Sequence, residues 1–161
     1  METMSRHQGD QVFTASQTLA LPREDVFAFF ANPANLEKIT PPWLSFRMAE
    51  EESHAIEEGS EFTYDLRVRG LPMRWRSLIA EWVPGHRFVD VQLQGPYAKW
   101  HHLHTFEDAE GGSATRVIDS VVYRLPLGSM GQLLAGRFVR SDLRRIFNHR
   151  SACTSRILEG C

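Results

Sequence analysis

The 161-residue sequence predicts an α+β fold: a curved antiparallel sheet closed on one long C-terminal helix. Three observations carry this. Between Val12 and Leu125 the chain breaks into short, aromatic-rich segments that alternate apolar and polar, at intervals of roughly 10–14 residues, with Gly or Pro between them. Six or seven strands so spaced describe a meander. After Tyr123–Arg124–Leu125–Pro126–Leu127–Gly128 the period changes: Val139, Leu143, Ile146, Cys153 and Ile157 follow steps of 4, 3, 7 and 4, one face of a helix reaching about Leu158. The length suits a single domain over 1–161, with its core at about 12–158.

Val12–Leu21 reads as the first strand. Pro22 suits the first turn of a helix, where its missing N–H costs nothing, and Glu24 and Asp25 complement the helix N-terminus. Val26, Phe27, Phe29 and Phe30 make its apolar face, and Asn32–Pro33 ends it. Asn35–Ile39 is a second short helix, stopped by Pro41–Pro42; Trp43–Met48 reads as a strand and Ala49–Gly59 as an acidic, turn-like segment. In Glu61–Arg69 the residues Phe62, Tyr64, Leu66 and Val68 share one face. Gly70–Leu71–Pro72 is a turn, Met73–Val83 the return strand, Arg87–Leu93 and Ala98–Phe106 the next two, and Ser113–Leu125 the last. The first nine residues and Ser155–Cys161 are expected to fray.

Composition narrows the function. A formal charge of −2 gives no global field for nucleic acid, and Arg67, Arg69, Arg74, Arg76 and the arginines of the last helix read as solvated faces. Two cysteines form no disulfide framework, the N-terminus has no leader-like apolar segment, and no apolar run is long enough for stable membrane insertion. A cytoplasmic protein is expected, its oligomeric state open. Nothing resembles a phosphate loop, a dinucleotide fingerprint or a nucleophile elbow.

A sheet curved round a helix tends to enclose a cavity. In Trp100–His101–His102–Leu103–His104–Thr105–Phe106, period two puts Trp100, His102, His104 and Phe106 on one face, and their aromatic company favours the inward one. Two histidines at i and i+2 suit a metal, but zinc needs a third ligand that sequence cannot place, so no metal and no cofactor is assigned. The polar alternative is that both imidazoles orient a ligand. Asp119, Val121 and Tyr123 share a face of the last strand; Tyr64 and Trp75 add aromatic wall, and Leu143 and Ile146 the helix side. Arg150 falls on the apolar stripe of that helix, where a buried guanidinium needs compensation. Three outcomes are open: an ion pair with Asp119 or Asp65, an acidic ligand head, or an exit to the rim.

Several segments, in order, give a resemblance. They are Leu21–Phe27, Asn35–Pro41, Gly70–Trp75, Gly95–Phe106, Asp119–Gly128 and Phe147–Arg150. Through them the chain resembles the START-like SRPBCC superfamily, and within it bacterial ligand-binding proteins related to polyketide cyclases and dehydrases. The resemblance implies the helix-grip fold, a seven-stranded sheet with two short helices after the first strand. It implies a small hydrophobic partner, lipid-like or aromatic, held between sheet and helix by Tyr64, Trp75, Trp100, His102, His104, Phe106, Asp119, Tyr123, Leu143, Ile146 and Arg150. The alternative it implies is an aromatase or cyclase working by general acid–base catalysis, although no catalytic set matches residue by residue.

Overall fold

A computed structural model describes residues 1–7, 9–49 and 56–160, with only the backbone of Arg6 and His7. Eight antiparallel strands make one sheet: β1 (Glu2–His7), β2 (Asp10–Leu19), β3 (Arg47–Met48), β4 (Glu61–Val68), β5 (Leu71–Val83), β6 (Arg87–Gln94), β7 (Lys99–Ala109) and β8 (Ala114–Arg124). Their order is β1-β2-β8-β7-β6-β5-β4-β3. The first hairpin therefore joins the last strand, and the meander β4 to β8 runs away from it. Between β2 and β3 lie α1 (Arg23–Phe30) and α2 (Pro33–Ile39); α3 (Gly128–Glu159) ends the chain, about 48 Å long at 1.5 Å per residue. This is the expected helix-grip arrangement with one strand more than the expected seven.

The extra strand is at the N-terminus. Residues 2–7 pair along β2, and the Met1 amino group donates to Ser16 O at 2.8 Å. The opposite end is also tied: α3 runs on through Ser155 to Glu159, whose carboxylate accepts from Ala20 N at 2.7 Å. Both termini were expected to fray, and a strand partner at one end and a hydrogen bond from Ala20 N to Glu159 at the other tie them instead. Of the expected strand Trp43–Met48 only Arg47–Met48 pairs; Pro42–Leu44 is a turn of 3₁₀ helix. The acidic segment 50–55 lies outside the described residues.

The β4–β5 turn is Arg69–Gly70, one step earlier than expected, with φ of 51° and 84°. Two left-handed residues match the twist of a two-residue hairpin. Leu71 and Pro72 already pair within β5, and Pro72 is tolerated because β6 begins pairing with β5 only at Arg76. Two register shifts along β5–β6, at Arg76/Ser77 and Ile79/Glu81, bend the sheet. Asn32 caps α2 by accepting from Ala34 N at 3.0 Å, so Asn32–Pro33 ends one helix and starts the next. At the corner into α3, a side chain on Gly131 would meet Pro126 O at 1.8 Å, so strand and helix close here only with glycine.

Two apolar clusters form the interior. One joins α1 to the sheet through Val26, Phe27, Phe62, Ile79, Phe88, Phe106 and Val117. The other joins α3 to β2 and β8 through Phe13, Val121, Tyr123, Leu143 and Phe147. Of the stripe read from the sequence, Leu143 and Cys153 are buried, but Ile157 is exposed. Phe147, between them, carries the contact.

Candidate functional site

Between the two clusters is a cavity of about 220 Å³. Phe29, Phe30, Leu36 and Ile39 of α1 and α2 wall one end; Phe62, Tyr64, Leu66 and Val68 come from β4, Trp75, Ser77 and Ile79 from β5. Trp100 and Phe88 close the sheet side, and Leu143, Ile146, Phe147 and Arg150 the helix side. Trp75 and Trp100 meet edge to face at 5.2 Å, and the Trp75 indole N–H donates to Ser77 Oγ at 3.0 Å. The wall is mainly apolar; Asn32, Asn35 and Thr40 lie at the α1–α2 end, and the densest polar group is Asp90, His102 and His104.

That polar group is made by strand register. Asp90 of β6 stands directly opposite His102 of β7, and Asp119 of β8 directly opposite His104. The two imidazoles lie side by side, ring centres 3.7 Å apart, with a carboxylate at each edge. His102 Nε2 is 2.9 Å from Asp119 Oδ1, and His104 Nε2 is 3.1 Å from Asp90 Oδ2. The other nitrogens also face carboxylates: His102 Nδ1 is 3.3 Å from Asp90 Oδ2 and His104 Nδ1 is 2.9 Å from Asp119 Oδ1. The last contact is off the ring's donor direction, and His104 Nδ1 makes no hydrogen bond. His104 stacks on Phe88 at 4.2 Å and His102 meets Phe147 edge-on at 5.5 Å, so the quartet is a polar seam between the two apolar clusters.

Burial alone would raise both carboxyls, but hydrogen bonds and charge from His102 and His104 outweigh it and hold Asp90 and Asp119 well below the usual carboxylate range. Burial would likewise lower His102, and the bonds to Asp119 and Asp90 outweigh it, leaving its pKa raised. The site thus sets ionised carboxylates and imidazole nitrogens against an apolar space, the ingredients of proton transfer.

Seven of the eleven residues singled out from the sequence line the cavity with the quartet's histidines among them: Tyr64, Trp75, Trp100, His102, His104, Leu143 and Ile146. Arg150 is an eighth. Three stand elsewhere. Phe106 packs away from the space, against Phe27 and Phe30. Tyr123 is wholly buried beside Tyr97, its hydroxyl without a partner among the described residues. Asp119 sits behind the histidines and borders a smaller crevice shared with Arg150 and Asn148.

The expected carboxylate partner of Arg150 is not found. Asp65 pairs with Arg74 at 2.8 Å on the outer face, and Asp119 is taken by the histidines. The Arg150 guanidinium lies 5.5 Å from the Phe147 ring centre, half-buried, with no ion pair among the described residues. Asp90 was missed. On β6 the apolar side of the alternation is Val89, Val91 and Leu93, which points the eye to the wrong face; Phe88 was the only signal that the Asp90 face is also buried.

Comparison with known proteins fits this geometry. Residues 10–152 match the family described as polyketide cyclase/dehydrase and lipid transport. The chain belongs to that family. Among curated proteins none matches it in sequence. Of solved structures, a nucleoside-diphosphate sugar epimerase from Corynebacterium glutamicum is 26% identical with a TM-score of 0.64, over 91% of this chain and 29% of its own, so the chain spans under a third of that protein. The Zhui aromatase/cyclase from Streptomyces sp. R1128 is similar in fold, with a TM-score of 0.69 at 16% identity, over 93% of this chain and 94% of that one. A START superfamily protein from Mycobacterium smegmatis gives 0.63 at 13%, over 92% and 97%. These structures share the sheet-and-helix frame, and no described helix of this chain is long and apolar enough to cross a membrane.

Proposed function

We propose that the protein binds a small hydrophobic ligand, aromatic in preference to long-chain, in the cavity between sheet and α3. The observation that supports this is a mainly apolar cavity with a limited set of polar groups on its wall, the pattern of a site that binds by burial and orients by a few hydrogen bonds. Size narrows the class: a cavity of about 150 Å³ accepts benzene, so about 220 Å³ suits a compact molecule of one or two rings. His102, His104 and Asp90 face its polar edge, and Arg150 suits a ligand acid. A second reading, an aromatase or cyclase of the family's type, is favoured by the same imidazole–carboxylate pole, which suits acid–base work on a bound ring precursor.

Trp75 and Trp100 make the test direct. Chelator-treated protein titrated with a naphthalene-class probe should show saturable tryptophan quenching, and Ile146→Trp, which fills the space, should weaken it by more than about tenfold. Unsaturable quenching, or full affinity in the filled variant, would place the ligand elsewhere.

A further inference from the structure

We propose that Asp90, His102 and His104 bind a first-row divalent metal ion, Zn²⁺ in the first instance, with a coordination position left open to the cavity. One donor atom from each of the three lies within 4.8 Å of the others. Asp90 Oδ2 is 3.3 Å from His102 Nδ1 and 3.1 Å from His104 Nε2. Around a tetrahedral ion with bonds of about 2.0–2.1 Å, neighbouring donors stand about 3.3 Å apart. The two measured separations are close to that spacing.

Charge points the same way. Asp90 and Asp119 place two carboxylates against two imidazoles in a nearly dry seam, and neutrality there requires two positive charges. One divalent ion supplies both; with it bound, His102 turns its Nδ1 lone pair to the ion and keeps Nε2–H toward Asp119. Asp119 occupies the place of the outer carboxylate that orients a metal-bound histidine: its Oδ1 is 2.9 Å from His102 Nε2 in a hydrogen bond, and 2.9 Å from His104 Nδ1 off that ring's donor direction. It does not face the cavity, whereas the three proposed ligands do. Three protein ligands and one open position are the form of a reactive rather than a structural site. Water or a ligand oxygen completes it.

The inference shares the cavity with the binding reading but does not rest on it, since metal uptake is measured with no hydrophobic molecule present. Tag-free, chelator-stripped protein is titrated with Zn²⁺ by calorimetry and with Co²⁺ by visible absorption. One ion per chain and a four-coordinate Co²⁺ spectrum are expected. His102→Ala and His104→Ala should each weaken binding by more than about 100-fold, and Asp119→Asn by about 10–100-fold. His101→Ala, on the opposite face of β7, and His149→Ala should bind as the parent does. Should the alanine variants fail to fold, the parent protein still decides: Co²⁺ must shift the imidazole NMR signals of two of the seven histidines. Substoichiometric uptake, unshifted imidazoles, or equal affinity in folded His102 and His104 variants would overturn the site.

Discussion

Two sets of cross-strand charge pairs occupy opposite faces of one sheet. On β4 and β5, Asp65 stands opposite Arg74 and binds it through two hydrogen bonds of 2.8 and 3.0 Å, while Glu61 reaches Arg76 at 2.7 Å. On β6, β7 and β8, Asp90 stands opposite His102 and Asp119 opposite His104. The pairing rule is the same; the solvent is not. Asp65 and Arg74 are more than half exposed, so water screens each charge and either can be lost cheaply. The histidines are 3% and 4% exposed, and there each charge depends on its partners. The outer ladder is screened by water; the inner one persists only because its charges are paired.

Asp119→Ala should separate the two sets most sharply. It leaves His102 and His104 facing an unfilled edge and is expected to destabilise by about 3–5 kcal/mol in urea unfolding. A loss no larger than for a surface residue would reduce the inner quartet to an ordinary ion pair. Phe106→Ala should cost a comparable amount, about 3–5 kcal/mol, because Phe106 is core; since it does not touch the cavity, probe affinity of the folded fraction should stay at the parent value. Arg150→Met should then lower the affinity of a carboxylate-bearing aromatic probe by about tenfold while sparing its neutral analogue. Equal losses for both probes would mean that Arg150 acts by packing. Asp65→Ala is the smallest: the unfolding midpoint and probe affinity should not move, as thermal melts and the quenching assay would reveal.

Much of this site was legible before the structure. The period-two face of Trp100, His102, His104 and Phe106 is buried as read, because alternation on a strand is enforced by the pleat. The two short helices were legible from Pro22, Asn32–Pro33 and Pro41–Pro42, each a local steric signal. Asp90 was not, since its meaning comes from standing opposite His102 on another strand. Arg150 was marked as anomalous with three outcomes open, and the ion pair with Asp119 or Asp65 is the one not found, because which carboxylate is already taken is a property of the whole network. Phe106 and Tyr123 lie on inward faces, yet a face says inside without saying which side of the cavity.

From composition and order of residues alone, the chain is committed to an antiparallel sheet, two covering helices and a long C-terminal helix, since periodicity, glycine turns and proline stops act within a few residues of themselves. The seam of Asp90, His102, His104 and Asp119, the place of Arg150 over Phe147 and the limits of the hollow were decided only in three dimensions. They depend on register between β6, β7 and β8 and on where α3 lands, and those are set by the packing of side chains far apart along the chain.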